Sequence, residues 1–160
     1  MAKSSESYIL DTSALISLES INILGQVLTM FSITTTNSAI KELEEFAKYD
    51  DKYGKIAKNV LKLKNKFTIE SCEIKESIKY IESIKYIESI KYIESTDNEL
   101  YNLSLKNKLP LVTDETKLVH HTRHKIEIYF TIVFLVMLTE AKYFTKKEAL
   151  NKLEELKLER

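Results

Sequence analysis

Residues 8–13 read Tyr-Ile-Leu-Asp-Thr-Ser, a short apolar run with high β-strand propensity that is followed at once by an acid, Asp11. Four similar apolar runs occur further along the chain, and helical patterns fill the intervals between them. The five runs are residues 8–10, 30–35, 67–69, 111–113 and 126–129. This alternation predicts an α/β fold in which helices cover a parallel sheet.

Length and composition predict a single domain over residues 1–160. The chain is 44% hydrophobic and 30% charged, with two glycines and one proline, which excludes a disordered, collagen-like or turn-rich all-β protein. Twenty-four lysines and arginines balance twenty-four acidic residues. No global field therefore attracts a polyanion, and any such ligand must be met by a local group of charges.

The single cysteine, Cys72, excludes an internal disulfide and favours a reducing, intracellular location. Residues 1–7 lack the apolar core of a signal peptide. The most apolar run, residues 129–138, is much shorter than the roughly 20 residues that a membrane-spanning helix needs. We therefore expect a soluble, cytoplasmic protein with no membrane partner.

Residues 76–93 are three copies of Glu-Ser-Ile-Lys-Tyr-Ile. Six residues advance about 600° along an α-helix, so the isoleucines wind around such a helix instead of forming one apolar face. We interpret residues 76–95 as an insertion that forms a long helix or linker. The alternative is a tyrosine and isoleucine surface for a partner or for self-association.

Helix starts are predicted by polar residues at capping positions. Thr96 with Glu99 and Thr145 with Glu148 have the spacing of a capping box. Asn37 or Ser38 is placed to cap the helix that follows the second strand.

Acidic residues occur where predicted strands end or the following helices begin. Asp11 follows the first strand, Asp114 and Glu115 follow residues 111–113, Glu42 lies one turn into a helix, and Asp97 lies in the first turn of another. Ligands of an open parallel sheet bind beyond the carboxyl ends of its strands. These acids are therefore candidate site residues.

Carboxylates that converge repel one another, which raises one pKa or requires a cation between them. An oxygen-only ligand set suits Mg²⁺ or Mn²⁺, and such an ion polarises a phosphodiester and activates water. Taken singly, Glu42 reads as a solvated partner of Lys41 or Lys48, and Asp97 as an acid favoured by a helix dipole. The prediction of phosphodiester hydrolysis therefore depends on the acids acting together.

Four segments together resemble the PIN-domain ribonuclease family. They are Tyr-Ile-Leu-Asp-Thr-Ser-Ala-Leu-Ile at 8–16, Ser-Ala-Ile-Lys-Glu-Leu at 38–43, Ser-Thr-Asp-Asn-Glu-Leu-Tyr-Asn-Leu-Ser-Leu at 95–105, and Leu-Val-Thr-Asp-Glu-Thr-Lys-Leu at 111–118. They occur in the family's order and span most of the chain. Residues 130–158 also resemble the terminal helices of some members, and the repeat is the main departure.

The resemblance implies a three-layer α/β/α sandwich with a central parallel sheet and cleavage of single-stranded RNA at an acidic Mg²⁺ or Mn²⁺ site. By that resemblance Asp11, Glu42 and Asp97 hold metal, while Ser13 and Thr113 orient ligands or water through hydrogen bonds.

The fourth acid of the resemblance has two candidates. The family usually has Asp two residues after the threonine of its last motif, where this chain has Glu115, and Asp114 falls one residue earlier. Glutamate is one methylene longer and would shift or weaken a second metal. Both residues are candidate metal ligands, and Asp114 is also a candidate catalytic residue.

RNA needs positive charge at the rim of an acidic site. The candidate phosphate-contact residues crowd just after the last acidic motif and are Lys117, His120, His121, Arg123, His124 and Lys125, with Lys106 and Lys108 before it. A second basic stretch has lysines at 52, 55, 58, 62, 64 and 66. On its own we interpret that stretch as a solvated helical face.

The sequence therefore predicts a metal-dependent endoribonuclease, either a toxin or an RNA-processing enzyme. If the protein is a toxin, we expect an antitoxin-like protein that covers the acidic cleft. The alternative is a catalytically weak or inactive PIN-fold module that binds RNA or protein, and a third hypothesis is an assembly protein organised by the repeat. We also expect a homodimer, because residues 129–138 offer more apolar surface than one helix usually buries.

Overall fold

The computed structural model describes residues 6–75 and 87–158, with the backbone alone at residues 87–95. Its centre is a five-stranded sheet in the order β3-β2-β1-β4-β5, in which every pairing is parallel. The strands are β1 (Ser7–Leu10), β2 (Ser32–Thr36), β3 (Thr68–Glu70), β4 (Leu111–Val112) and β5 (Ile128–Tyr129). The five predicted apolar runs and the parallel α/β fold are confirmed.

Eight α-helices connect and cover the strands within the described residues. They are α1 (Thr12–Ser20), α2 (Leu24–Met30), α3 (Asn37–Phe46), α4 (Lys52–Lys62), α5 (Ile87–Asn107), α6 (Thr116–Thr122), α7 (Ile132–Glu140) and α8 (Lys146–Leu158). Met30 belongs to α2 instead of to the predicted second strand, which begins at Ser32.

The core lies on both faces of the sheet because side chains alternate along β1. Tyr8 and Leu10 pack into a cluster with residues of α1, α2, α4, α7 and α8, whereas Ile9 packs into a second cluster with residues of α5 and α6. Ile9 lies between Thr34 of β2 and Leu111 of β4 in the sheet. The three-layer arrangement therefore follows from burial on both sides of the central strand.

One of the predicted capping boxes is confirmed and one is wrong. At the start of α8 the Thr145 N–H donates to Glu148 Oε2 at 2.7 Å, and the Glu148 N–H donates to Thr145 Oγ1 at 3.2 Å. Thr96, in contrast, lies inside α5, which has already begun by Ile87. The turn before Thr96 is helical, so no orphan N–H groups remain there to cap.

The prediction that Asn37 or Ser38 caps α3 is also wrong. Thr36 is the cap, and its Oγ1 accepts the Ala39 N–H at 3.2 Å. Ser38 Oγ instead donates to Glu99 Oε2 on α5 at 2.6 Å. A polar residue one position earlier therefore takes the cap, and Ser38 ties two helices together.

The repeat lies only partly within the described residues. Residues 76–86 lie outside them, and residues 87–93 are helical backbone at the start of α5. In the described part of the chain no single helix is long and apolar enough to cross a membrane, although α1 and α2, joined at a 114° bend, have the length and composition as a pair.

The predicted homodimer has a candidate surface on and beside α7. Phe134, Leu135 and Leu138 of this helix are buried, while Ile132 and Val136 are exposed. The dimer stays a prediction, and a sharp monomer mass in light scattering at high protein concentration would contradict it.

Candidate active site

The strand order creates a switch point between β1 and β4. The chain passes from β1 to β2 and β3 on one side and then crosses to β4 and β5 on the other. In open parallel sheets this change of direction leaves a crevice at the carboxyl ends of the two adjacent strands. Asp11 directly follows β1, and residues 113–115 directly follow β4, so both segments reach this crevice.

Asp11 is held by three hydrogen bonds. Its Oδ1 accepts the Ser13 hydroxyl at 2.7 Å and the Ala14 N–H at 2.8 Å, and its Oδ2 accepts the Thr113 hydroxyl. The bond to Ala14 makes Asp11 the N-cap of α1. The bond to Thr113 joins the ends of β1 and β4 and fixes the direction of the carboxylate.

Burial dominates the protonation of this acid. Asp11 is 4% exposed, and desolvation raises its pKa to about 7, although its hydrogen bonds favour the charged form. The negative charge of Glu115 raises that pKa further. The protein therefore keeps a carboxylate where ionisation is unfavourable unless a positive charge is nearby.

Two glutamates approach from neighbouring elements. Glu42 on α3 accepts the Thr12 hydroxyl through Oε2 at 2.7 Å, which ties α3 to the start of α1. Partial burial and then the charge of Glu42 raise the pKa of Glu115. The acids of β1, α3 and the end of β4 therefore interact electrostatically.

A single cleft of about 310 Å³ collects these acids. Its lining residues are Asp11, Thr12, Ser13, Glu42, Phe46, Thr96, Asp97, Leu100 and Glu115. Asp97, a buried residue of α5, thus faces the same space as Asp11 although 86 positions separate them in the sequence. Folding brings together acids from four remote segments.

Asp114 has a different role from Glu115. Its Oδ1 accepts the Thr131 N–H at 3.0 Å, and its own N–H donates to Ser13 Oγ at 3.1 Å. It ties the β4–α6 connection to the residue before α7 and is absent from the cleft lining. Only Glu115 of the two candidates for the fourth acid lines the cleft.

The donor set fits a hard divalent cation. No three acidic, histidine or cysteine side chains of residues 6–75 and 87–158 lie close enough together to chelate one ion. Mg²⁺, however, is usually bound by one or two carboxylates and keeps several waters. Asp11, Glu42 and Glu115 line one cleft and offer carboxylate oxygens of that kind, and the lining contains no lysine or arginine.

The structure spreads the predicted phosphate-contact residues along the molecule. Helix α6 begins beside Glu115 and leads back towards the start of β5. Lys117 and His120 are exposed on it, and His121 is half-buried against the His120 ring.

The last three of these residues, Arg123, His124 and Lys125, follow α6 and are exposed. Lys125 shares a second cavity with Lys108, beside the residues that precede β4 and β5. A seven-residue helix is about 10 Å long. Lys117 is therefore near the acidic cleft, whereas residues 123–125 lie towards the amino-terminal ends of β4 and β5.

Sequence reasoning missed several lining residues. Thr12, which holds Glu42, directly follows Asp11, and its position was a usable signal. Phe46 lies four residues after Glu42 on α3 and therefore on the same helix face. Thr96 and Leu100 line the cleft only because α5 crosses it, which no local pattern indicated.

No protein-family model matches the sequence, and no curated protein matches it either. Similar solved structures exist, and one is a PilT N-terminus domain protein from Sulfolobus solfataricus. It has 10% identity and a TM-score of 0.54, with 82% of this chain and 92% of that chain covered.

Two further archaeal structures are similar. A protein from Pyrobaculum aerophilum has 16% identity and a TM-score of 0.53, over 84% of this chain and 98% of that one. A domain of a functionally unknown protein from Methanocaldococcus jannaschii has 20% identity and a TM-score of 0.51, over 79% and 91%. At these identities the similarity shows the fold alone, which is that of PilT N-terminus (PIN) domain proteins.

Proposed function

We propose that this chain is a metal-dependent endoribonuclease that hydrolyses phosphodiester bonds of single-stranded RNA. The observation that carries the proposal is the meeting of Asp11, Glu42, Asp97 and Glu115 in one cleft at the switch point of the sheet. These acids come from remote segments and line one cleft, and carboxylates that converge favour a cation between them. The PIN-like fold is consistent with this reading.

In the proposal, Asp11, Glu42, Asp97 and Glu115 supply oxygen ligands for Mg²⁺ or Mn²⁺, directly or through water. Glu115 takes the place of the fourth acid, because Asp114 is engaged with the Thr131 backbone and does not line the cleft. When bound, the cation supplies Lewis-acid polarisation of the phosphodiester and lowers the pKa of the attacking water.

The other polar residues of the site position the acids. Ser13 and Thr113 donate to opposite oxygens of Asp11, so its carboxylate keeps one orientation. Thr12 holds Glu42 in the same way. Such supporting hydrogen bonds restrict the motion of ligand side chains before substrate arrives.

The direct test is incubation of the protein with end-labelled single-stranded RNA and either Mg²⁺ or Mn²⁺. We expect cleavage that EDTA abolishes and that falls below detection in Asp11→Asn, because the buried carboxylate is lost. Glu115→Gln should also reduce cleavage strongly. The matched control is Glu154→Gln on α8, which removes the same charge from an exposed residue far from the cleft and should leave cleavage unchanged.

A second candidate is a PIN-fold module that binds RNA or protein without cutting. The observation that favours it is that no three acids within the described residues converge on one point, together with glutamate at the fourth position. Binding of RNA with no cleavage by either metal would support this candidate. Cleavage that disappears in Asp11→Asn would exclude it.

A toxin and an RNA-processing enzyme share this chemistry and differ in their partner. In the toxin version of the proposal, a small antitoxin-like protein covers the acidic cleft. The distinguishing observation is a short reading frame next to the gene whose product copurifies with this chain and inhibits cleavage. A product that neither binds nor inhibits would contradict the toxin version.

A further inference from the structure

Three exposed aromatic side chains lie at the connection between α3 and α4. Phe46 is 41% exposed, Tyr49 63% and Tyr53 50%. We call these residues the aromatic ridge. Neighbouring exposed aromatics on a surface indicate a binding site more often than isolated ones do.

A buried glycine fixes the shape of this corner. A Cβ atom on Gly54 would overlap the carbonyl oxygen of Tyr49 and lie 3.0 Å from that of Phe46. The first turn of α4 therefore packs directly on the end of α3. The Gly54 N–H also donates to Asp51 Oδ1 at 2.7 Å, and the Tyr49 N–H donates to the Phe46 oxygen at 3.1 Å. The three aromatics are thus held near one another.

The aromatic ridge is continuous with the acidic cleft. Phe46 lines that cleft, four residues after Glu42 on the same helix. Tyr49 and Tyr53 follow Phe46 along the chain at the same corner, and both are exposed. The aromatic ridge therefore begins at the cleft with Phe46 and includes the corner beside it.

The exposed side of α4 is strongly basic. Its buried side consists of Gly54, Ile56, Ala57 and Val60, whereas its lysines point outward. We call Lys55, Lys58 and Lys62 the lysine face. Helical spacing places these three on one stripe, and none of them makes an ion pair with a described residue.

The local charge balance differs from that of the whole chain. Residues 46–66 contain seven lysines and two aspartates, although the complete sequence has no net charge. Asp51, one of those two, accepts a backbone N–H as the cap of α4. Lys48 pairs with Glu45 at 2.6 Å, so the excess of positive charge beside the aromatic ridge lies on the lysines of α4 and the residues after it.

We propose that the aromatic ridge and the lysine face bind the part of a single-stranded RNA that extends beyond the cleft. The inference rests on the proposed function and names where its substrate lies. Unpaired bases stack on aromatic rings while lysines neutralise phosphates, and this combination is typical of single-strand binding surfaces. A protein partner has less need of three uncompensated cations beside its apolar contacts.

This assignment replaces the interpretation of the second basic stretch as a merely solvated helical face. The change comes from tertiary structure, because the lysines follow an exposed aromatic corner that reaches the cleft. Residues 123–125, by contrast, lie towards the amino-terminal ends of β4 and β5, whereas the acids lie at the carboxyl ends of the strands. Substitutions in the two basic stretches should therefore affect RNA binding differently.

The test measures binding of a fluorescent single-stranded RNA of about 12 nucleotides, a length within the range of single-strand binding sites. EDTA prevents metal-dependent cleavage, and anisotropy gives Kd for the full chain. Tyr49→Ala with Tyr53→Ala should raise Kd about tenfold or more, because stacking of each base is lost. The paired Phe substitutions should retain binding, and the paired Leu substitutions should not. Leu150→Ala, at an exposed apolar residue of α8, is the control and should change little.

The lysine face is tested by the salt dependence of Kd. Lys55→Gln, Lys58→Gln and Lys62→Gln together should reduce the slope of log K against log salt by about 2, since each phosphate contact contributes roughly 0.7. The matched control replaces three exposed lysines at and just before the start of α8, Lys142, Lys146 and Lys147, with glutamine and should keep the slope. A second triple, Lys117→Gln, Arg123→Gln and Lys125→Gln, tests the competing basic stretch.

The outcomes separate this inference from the proposed function. If the tyrosine variants keep the same Kd and the lysine-face variant keeps the same salt slope, with circular dichroism unchanged, the inference is overturned. A loss of RNA binding confined to the variant of Lys117, Arg123 and Lys125 would also overturn it. Cleavage of a tetranucleotide, which reaches little beyond the cleft, should persist in the ridge variants. Weakened RNA binding without any Asp11-dependent cleavage would support the binding surface and contradict the endoribonuclease. If the tyrosine variants lose only a protein partner and bind RNA normally, the ridge is a protein-docking site and the inference fails.

Discussion

The acidic cleft and the lysine face present opposite charges under opposite physical conditions. Asp11 is buried, receives three hydrogen bonds and has a pKa raised to about 7. Lys55, Lys58 and Lys62 are exposed and make no ion pair with a described residue. One region is costly to maintain without a ligand, whereas the other costs little.

This difference determines how much each region reveals about function. A buried carboxylate destabilises the fold unless it is hydrogen-bonded, paired or bound to a cation, and Asp11 keeps a raised pKa despite its three hydrogen bonds. Exposed lysines are common on helices and indicate nothing alone. They become informative only because the helix that carries them begins at the aromatic ridge.

The largest expected effect concerns stability as a function of pH in metal-free buffer. The folded-state pKa of Asp11, about 7, exceeds the ordinary value of about 3.9, so the folded protein holds the proton more tightly than the unfolded chain. The free energy of unfolding should therefore fall as pH rises between these values, by up to about 4 kcal/mol from this group. Urea unfolding from pH 4.5 to 8 measures the fall.

Asp11→Asn removes the titrating group and should make that dependence on pH distinctly shallower. Glu115, whose pKa is also raised, contributes in the same direction in both proteins. At pH 8, Mn²⁺ should raise Tm of the unmodified protein and leave Tm of the variant nearly unchanged. If the free energies of unfolding of the two proteins changed in parallel with pH, burial in the cleft would not disfavour ionised Asp11. The contrast between the acidic cleft and the lysine face would then fail.

The next effect concerns the corner that carries the aromatic ridge. Gly54→Ala inserts a methyl group against the Tyr49 carbonyl and should cost about 1–3 kcal/mol, as overpacking does elsewhere. Gly25→Ala is the control, because a Cβ there meets nothing within 4 Å, and this change should be neutral or stabilising by up to about 1 kcal/mol. Thermal unfolding compares the two. Equal stability of both variants would mean that the corner is loose and that the ridge has no fixed shape.

A smaller effect is expected from the threonine that orients Asp11. Thr113→Val removes the hydroxyl donor while keeping the volume, and we expect cleavage to fall about 10–100-fold, as when supporting partners of metal ligands are lost. Thr35→Val is the matched control, since Thr35 is an equally buried threonine whose hydroxyl donates to the Leu10 carbonyl. Cleavage should be nearly normal in the control where the protein remains folded. Equal losses in both variants would indicate general destabilisation instead of positioning.

Much of the fold could be predicted from the sequence because the signals for strands and helix caps are local. The apolar run before Asp11 predicted β1, and similar runs predicted the other four strands within a few residues. The capping box at Thr145 and Glu148 was also read correctly, because both partners lie within one helical turn. Local patterns failed at Thr96, where the helix had already begun upstream and left nothing to cap.

The residues of the candidate site could be predicted only in part from the sequence. The sequence proposed Asp11, Glu42 and Asp97 and left Asp114 and Glu115 as alternatives. The structure places Glu115 in the cleft and turns Asp114 towards the Thr131 backbone. Adjacent residues at a strand end point in different directions, and the direction that faces the cleft depends on the elements packed around them.

By itself the sequence determined the alternation of strands and helices and the presence of an acid after the first strand, since hydrophobic periodicity and capping act over a few residues. The tertiary structure alone decided which acids share a cleft and which aromatic side chains stay exposed at the corner beside it. These depend on strand order and helix packing between segments remote in the chain. The free energies of such contacts are set by three-dimensional burial and proximity, which spacing along the sequence does not specify.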